Sequence, residues 1–370
     1  MWNKSSEKSM PPSGAPSAQP GAPAFLVELA TRVETYLAQL IAAEEARWVE
    51  VNPTLAVPFS EMRGLVLAGG KRLRPAFCYW GSIATGADPS DERIVRTGAA
   101  LELLHAFALF HDDIMDGSLT RRGVQTTHVR HSALHVEQAL DGDATRYGDG
   151  VALLIGDLTY VYADDLMADT SREARALWTE LRLELNIGQF LDIVGSARRE
   201  RRRAEAEQIC RYKSGKYTIE RPLQLGALVT SAPLPAGVFE QLSAIGLPLG
   251  DAFQMRDDIL GVFGESALTG KPAGDDLREG KPTPLLALTT ELASPAELVV
   301  LNKVGRPDIT ATDIANIQEV IQHTGALQTM EDRITQLTAE SVNQLSGLSL
   351  GKEAIEQFKA LAHLVSWRSL

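Results

Sequence analysis

The sequence predicts an all-α fold, and three observations carry that prediction. From Pro23 onward, apolar residues recur at spacings of three and four in almost every segment. Strictly alternating, strand-like segments are nearly absent. The helix breakers fall between the periodic stretches: Asn52-Pro53, Gly69-Gly70, Gly86 to Ser90, Pro233 and Pro235, Gly270 to Gly280, and Pro307. No stretch repeats another at a fixed spacing. The organisation expected is therefore a disordered tail over 1–22, rich in Ser, Pro, Ala and Gly, and a single all-α domain over 23–370.

The elements follow in order. The first helix is expected over 24–50, where Phe25, Leu29, Val33, Leu37, Leu40 and Ile41 form one stripe. Helices over 58–68 and 71–85 flank the Gly69-Gly70 turn, and one over 91–116 carries an acidic cluster at its end. Helices over 148–168, 171–196 and 204–230 come next, the last interrupted by Gly215, which marks an irregularity. A helix over 236–263 carries a second acidic cluster, and helices over 283–293, 311–323, 325–345 and 351–369 complete the chain.

Composition narrows the function. With 44% hydrophobic residues among 370, the chain can bury a large core. A net charge of -12 argues against nucleic acid as a partner. An anionic ligand could bind only where metal or Lys/Arg locally reverses the field. Cys78 and Cys210 form neither a disulfide framework nor a CxxC zinc pair, so both are expected as buried, reduced thiols of a cytoplasmic protein. The first 21 residues lack a signal peptide's apolar stretch, and no segment is long and uncharged enough to span a bilayer.

The chemistry concentrates in the two acidic clusters, 145 residues apart: His111-Asp112-Asp113-Ile114-Met115-Asp116 and Phe253-Gln254-Met255-Arg256-Asp257-Asp258. Ionised carboxylates on apolar helices are costly without partners. Asp112 and Asp116 are four apart, so a helix projects them from one face about 6 Å apart along its axis, with Asp113 turned about 100° away. The pair can ligate a metal directly, and Asp113 can orient ligands through hydrogen bonds. In the second cluster the position four beyond Asp257 is Gly261, so Asp257 is the expected ligand and Asp258 its support. Two such clusters facing each other suit Mg²⁺ ions that hold a diphosphate. A solvated acidic helix face is the bland alternative for either cluster alone.

Shorter motifs accompany them. In Gly69-Gly70-Lys71-Arg72-Leu73-Arg74-Pro75 the glycines permit a close turn, and Lys71 and Arg74 can clasp phosphate oxygens. Arg121-Arg122-Gly123 follows the first cluster, Tyr212-Lys213-Ser214-Gly215-Lys216 lies mid-helix, and Thr269 to Asp276 continues to Glu279-Gly280-Lys281 as a charged loop able to act as a lid.

In this order, GGKRLRP, HAFALFHDDIMD, RRG, YKSGK, FQMRDD, GKPAGDD and EGK, the chain resembles the trans-isoprenyl diphosphate synthases, the family of the farnesyl and geranylgeranyl diphosphate synthases. The resemblance implies an isoprenoid-synthase-type helical bundle around a central cavity, as a homodimer. It implies Asp112, Asp116 and Asp257 as ligands to three Mg²⁺ ions (Mn²⁺ being an alternative) that grip an allylic diphosphate. Asp113 and Asp258 would support them. Arg121, Lys213 and Lys271 would be cationic clamps, with Gln254 nearby. Lys71, Arg74, His105 and Arg122 would hold isopentenyl diphosphate. Ser214 stands where the family often has Thr, and Lys281 belongs to the same substrate-binding set. Gln189 and Asp192 resemble a family motif that faces the cavity, although a structural helix contact is an equal reading.

The implied reaction is head-to-tail condensation of isopentenyl diphosphate with an allylic diphosphate. In the family an aromatic five residues before the first Asp limits product length; here it is Phe107. Ala108 leaves room, and Leu104 and Leu101, about 12 and 16 Å deeper, are further candidates for the floor. This favours a C20 product, with C15 as the close alternative. A class I terpene cyclase and a catalytically silent partner subunit are the rival readings. The first would usually lack the second Asp cluster, and the second would be expected to lose Asp or Arg positions.

Overall fold

The computed structural model describes residues 24–231, 233–264 and 274–367. The expected tail, Lys271 and most of the expected lid lie outside the described residues.

Helix α1 (Ala24–Val49) buries Leu26, Leu29, Val33, Leu37 and Ile41, the stripe that its spacing dictates. It packs on α2 (Ala56–Val66), α3 (Leu73–Ala84) and α4 (Glu92–Met115). Helix α4 starts where the Asp91 side chain accepts from the Arg93 amide. It is buried on nearly all sides through Leu104, so its central turns carry almost no polar residue. Glu102 is the exception, and Arg72 neutralises it at 2.5 Å.

After a two-strand hairpin pairing Thr120–Arg121 with Val124–Gln125 come α5 (Thr127–Glu137), α6 (Ala144–Asp165) and α7 (Arg172–Arg198). Neither the hairpin nor α5 is expected from the sequence. The buried stripe of α5 is polar (Thr127, His128, His131, His135), so it leaves no apolar period to detect.

The expected helix over 204–230 is continuous but changes character. It runs as α8 (Arg203–Cys210), a π-helical segment (Arg211–Glu220) and α9 (Arg221–Thr230). Pro222, the second residue of α9, has no N–H for the carbonyl four residues back in the π segment. Helix α10 (Val238–Phe263) follows, then α11 (Asp275–Glu279), α12 (Pro284–Leu292), α13 (Pro295–Leu301), α14 (Ala311–His323), α15 (Ala326–Gln344) and α16 (Lys352–Ser366). The unexpected α13 carries a legible start, a Ser294/Glu297 capping box with Pro295 at its first position.

Three apolar clusters fill the interior. The first joins α1, α2, α4, α6 and α7; the second joins α3, α9, α10 and α16; the third joins α10 to α12, α14 and α15. Helix α10 therefore belongs to two of them, which fixes the second acidic cluster against both halves of the bundle.

A half-buried ion pair ties α5 to α2. Glu61 receives hydrogen bonds from Thr127, Arg130 and His131. Burial opposes its ionisation, but the bonds from His131 and Arg130 outweigh it and bring the carboxyl from an ordinary 4.5 to about 2. A depressed folded-state pKa contributes stability that is complete above 4.5 and lost as pH falls toward 2. Glu61→Gln should therefore cost about 3 kcal/mol at pH 7 and little near pH 2. Denaturant unfolding at both pH values tests this; an equal loss at both would contradict it.

Candidate active site

A cavity of about 1030 Å³ opens between α3, α4, α7, the π segment and α10. Its walls bring together Lys71, Arg74, His105, Phe107, Asp112, Arg121, Arg122, Lys213, Ser214, Gln254, Asp257, Asp258 and Lys281. Of the remaining predicted residues, Asp113 and Asp116 are set back from the lining, and Lys271 lies outside the described residues.

The first acidic cluster ends α4. Oδ1 of Asp112 accepts from Gln189 Nε2 at 2.8 Å and from Lys213 Nζ at 3.2 Å. The same Lys213 donates to Asp192 at 2.5 Å. Gln189 and Asp192 thus face the cavity from α7 rather than making a remote helix contact. The π segment can bring Lys213 this close because Gly188 on α7 has no side chain. A Cβ there would lie 2.3 Å from the Lys213 amide nitrogen. On the opposite side Gly215 meets Gly250 of α10, where a Cβ on Gly250 would come within 2.7 Å of the Gly215 carbonyl oxygen. The irregularity expected at Gly215 is this π turn, wedged between two glycines.

Burial pushes the carboxyls of Asp112 and Asp116 up, and their neighbours then divide them. For Asp112, burial is outweighed by Lys213, Lys281 and Arg121, which hold it well below the usual carboxylate range. For Asp116, burial and the Asp112 charge push the carboxyl up to about 7. Two carboxylates on one helical face do not ionise with equal ease. Asp116 Oδ2 is buried and has no hydrogen-bond partner among the described residues, with Lys281 Nζ 3.7 Å away. Asp113 turns to Arg121 rather than into the cavity. It accepts from Arg121 Nε at 2.8 Å and pairs with its Nη2 at 2.6 Å, so it positions that clamp.

On α10, Asp258 is 3% exposed; its Oδ1 accepts from Gln254 at 2.9 Å and its Oδ2 has no hydrogen-bond partner among the described residues. Burial first, then the charges of Asp276 and Asp257, push its carboxyl well up. Lys281 faces both clusters: its Nζ lies 2.7 Å from Glu279, 3.5 Å from Asp276 and 3.7 Å from Asp116. Burial would favour its neutral form, but these carboxylates hold its ammonium charge firmly.

The other end of the cavity is cationic. Arg74 donates to Tyr217 Oη at 2.5 Å and to Thr218 at 3.1 Å, with its guanidinium 4.4 Å from the Tyr217 ring centre. Tyr217 in turn meets His105 Nδ1 at 3.2 Å. Burial, with Arg74, Arg122 and Arg121, pushes the His105 imidazole far down, so it is neutral at pH 7. Arg122 donates to the Gly69 carbonyl at 2.6 Å and pins the glycine turn beside Lys71. Sequence reasoning gave Tyr217 no part, although it lies four residues beyond Lys213 and so shares its helix face in an α-helical reading. Arg72, also unassigned, is an anchor. It is buried between Glu34 and Glu102, donates to the Val66 carbonyl at 2.7 Å and takes a left-handed backbone at φ 46°.

One expectation about the floor changes. Leu101 and Leu104 are fully buried in the first core cluster and do not line the cavity. Phe107 does line it, although helical arithmetic turns it about 140° from Asp112. Its ring packs 4.6 Å from both His111 and Tyr160.

The donor set fits a hard divalent cation: carboxylate oxygens come from two helices, and two are buried without hydrogen bonds. Among the described residues no three acidic, His or Cys side chains converge on one point. A cation here needs oxygens from elsewhere, as Mg²⁺ takes them from substrate phosphates.

Comparison with known proteins agrees with this geometry. The family model for polyprenyl synthetase matches residues 59–323. The geranylfarnesyl diphosphate synthase of Aeropyrum pernix is 34% identical over 73% of this chain and 80% of its own length. The geranylgeranyl diphosphate synthase of Mycobacterium tuberculosis is 32% identical over 70% of this chain and 69% of its own length. The crystal structure of the geranylgeranyl pyrophosphate synthase of Corynebacterium glutamicum, complexed with isoprenyl diphosphate and magnesium, superposes with a TM-score of 0.87 at 37% identity, covering 93% of this chain and 99% of that one.

The unmet charge at Asp116 yields a test. Asp116→Asn should raise the unfolding temperature of the ligand-free protein at pH 8, because it removes a buried charge that burial and Asp112 disfavour. The same change should weaken the stabilisation given by Mg²⁺ plus inorganic diphosphate, about tenfold or more in affinity. Differential scanning fluorimetry with and without both ligands reads the two effects; an unchanged ligand response would remove Asp116 from the cation site.

Proposed function

The chain belongs to the polyprenyl synthetase family, which condenses isopentenyl diphosphate with allylic diphosphates, and we propose that it makes C20 geranylgeranyl diphosphate. The observation that carries this reading is one cavity with two anion-binding ends. Acidic clusters with Lys213 and Lys281 form one end, and Lys71, Arg74 and Arg122 beside His105 form the other. A cyclase acting on one diphosphate has no use for the second end.

At the acidic end Asp112, Asp116 and Asp257 would hold divalent cations, three Mg²⁺ in our reading. The bound cations would neutralise the allylic diphosphate and make it a leaving group. Lys213, Lys281 and Arg121 add fixed positive charge where negative charge develops as the allylic C–O bond breaks and its electron pair leaves with the diphosphate. At the cationic end Lys71, Arg74 and Arg122 orient isopentenyl diphosphate so that its double bond attacks the allylic carbon. Neutral His105 can hydrogen-bond there without adding charge. A proton then leaves the new chain to the departed diphosphate, so no side-chain base is required.

The C20 assignment is supported by Phe107 against Tyr160 on the cavity wall, with the small Ala108 beside it. Several similar proteins are also geranylgeranyl diphosphate synthases. We further propose a homodimer. Helix α6 exposes Leu153, Leu154, Leu158 and Val161, and α7 exposes Leu183, Ile187, Phe190 and Ile193. Stripes of this size mark an interface. A cytoplasmic, single-domain enzyme fits two free, buried cysteines and described helices of which none is long and apolar enough to cross a membrane.

The direct test is incubation with Mg²⁺, isopentenyl diphosphate and labelled C5, C10 or C15 primers, followed by product identification. Elongation to C20 is expected; cyclised hydrocarbon or no elongation would overturn the reading. Phe107→Ala should shift the product beyond C20, and an unchanged chain length would take Phe107 out of the length-setting wall.

A further inference from the structure

Beside the first cluster, whose Asp112 and Asp116 stand four apart, the second acidic cluster has one carboxylate fewer on its face. Four residues beyond Asp257, on the same helical face, stands Gly261. The space that a side chain there would enter is filled. A Cβ at 261 would lie 2.0 Å from Asp276 Oδ2 and 2.5 Å from Asp276 Cγ. Asp276, on α11, lines the same cavity as Asp257, Asp258 and Gly261. We infer that Asp276 supplies the carboxylate that position 261 lacks, so that the second cluster is assembled from two helices. This rests on the reading above that Asp257 and Asp258 serve a divalent cation.

The position of Asp276 is built. The next residue, Leu277, is 1% exposed in the third core cluster, and its carbonyl accepts from the Gly305 amide at 2.9 Å. The Asp276 carbonyl accepts from the amides of Gly280 and Lys281 at 3.0 and 3.1 Å. Gly280 takes a left-handed φ of 75° and packs against Gly305, where its Cβ would come 2.8 Å from the Gly305 Cα. With the backbone fixed on both sides, the carboxylate has little freedom. Lys281 Nζ lies 3.5 Å from Asp276 Oδ1, while Oδ2 lies over Gly261.

An independent sign that the cluster awaits a cation is Asp258. It is 3% exposed, and its Oδ2 has no hydrogen-bond partner among the described residues. A buried carboxylate oxygen without a donor is costly unless a ligand completes it. An acidic group placed beside it by a separate helix makes that cost greater in the free protein. A shared cation removes both costs. A carboxylate that served only to pair with Lys281 would not need a glycine opposite it.

The test is reciprocal. Isothermal titration of inorganic diphosphate into the full chain with Mg²⁺ reads binding without turnover. Asp276→Ala should weaken it about tenfold or more, and Gly261→Ala should do the same by pushing the carboxylate aside. The swap Gly261→Asp/Asp276→Ala returns a carboxylate to the same space and should recover binding to within a few-fold of the parent. Asp276→Asn keeps the side-chain shape and should behave as Asp276→Ala, which separates a lost ligand from a damaged fold. Parental binding in Asp276→Asn, or a swap no better than Asp276→Ala, overturns the inference. Parental binding in Asp257→Asn would overturn the underlying reading of the cluster instead.

Discussion

Lys213 is the contact around which the site is organised. Its ammonium lies between Asp112 of α4 and Asp192 of α7, at 3.2 and 2.5 Å. Burial alone would favour a neutral lysine and a neutral Asp112; their mutual attraction outweighs it, holding the Lys213 ammonium charged and Asp112 well below the usual carboxylate range. That stability of charge has a backbone requirement. The segment carrying Lys213 must approach α7 closely enough that a side chain at Gly188 would collide with it. It must also approach α10 closely enough that Gly215 and Gly250 touch. A regular α-helix from Arg203 to Thr230 would present a different face after the first turns. The π turn changes the phase of the helix where the site needs it, as such turns often do at functional positions.

The same logic resolves the conflict between an acidic chain and an anionic substrate. A net charge of -12 repels diphosphate at a distance, but the cavity is organised into opposed ends. At one end carboxylates outnumber the cations and call for divalent metal. At the other, Arg74 and Arg122 are gathered, and His105 is kept neutral by burial and by their charge. Asp116 and Asp258 are the least comfortable groups, each with a buried oxygen lacking a donor. This is the usual relation of site to scaffold: ligand binding draws on electrostatic strain that the free protein carries.

Much of this was legible in the sequence, for identifiable reasons. Helices with an apolar period, such as α1 and α14, fall where the period places them. Helix α5 was invisible because its buried face is threonine and histidine. The acidic clusters were legible because carboxylates are conspicuous in apolar helices. The direction of each side chain was not. Asp113 turns to Arg121, Arg122 to the Gly69 carbonyl, and Phe107 reaches the cavity wall despite its helical angle. Leu101 and Leu104 were plausible floor residues only while α4 was considered alone; its neighbours bury them completely. Tyr217 could not be placed because its bonds to Arg74 and His105 join segments more than one hundred residues apart in the chain.

Arg256 shows how far the site's mechanical support extends. It precedes Asp257 and adds charge to the second cluster in sequence, yet it points away. It is 4% exposed, its Nε donates to the Ser366 carbonyl at 2.7 Å, and its Nη1 donates to Glu331 at 2.7 Å. One side chain therefore fastens α10 to α15 and to the last turn of α16. That turn carries Leu364, with Trp367 just beyond it, into the cavity lining. Arginine suits the task because its planar fork can satisfy a carboxylate and a carbonyl together while remaining ionised. A lysine's compact ammonium lacks the planar fork that reaches the carboxylate and the carbonyl at once. The acidic residue and the basic residue beside it thus serve different faces of one helix: Asp257 lines the cavity, and Arg256 holds the wall that closes around it.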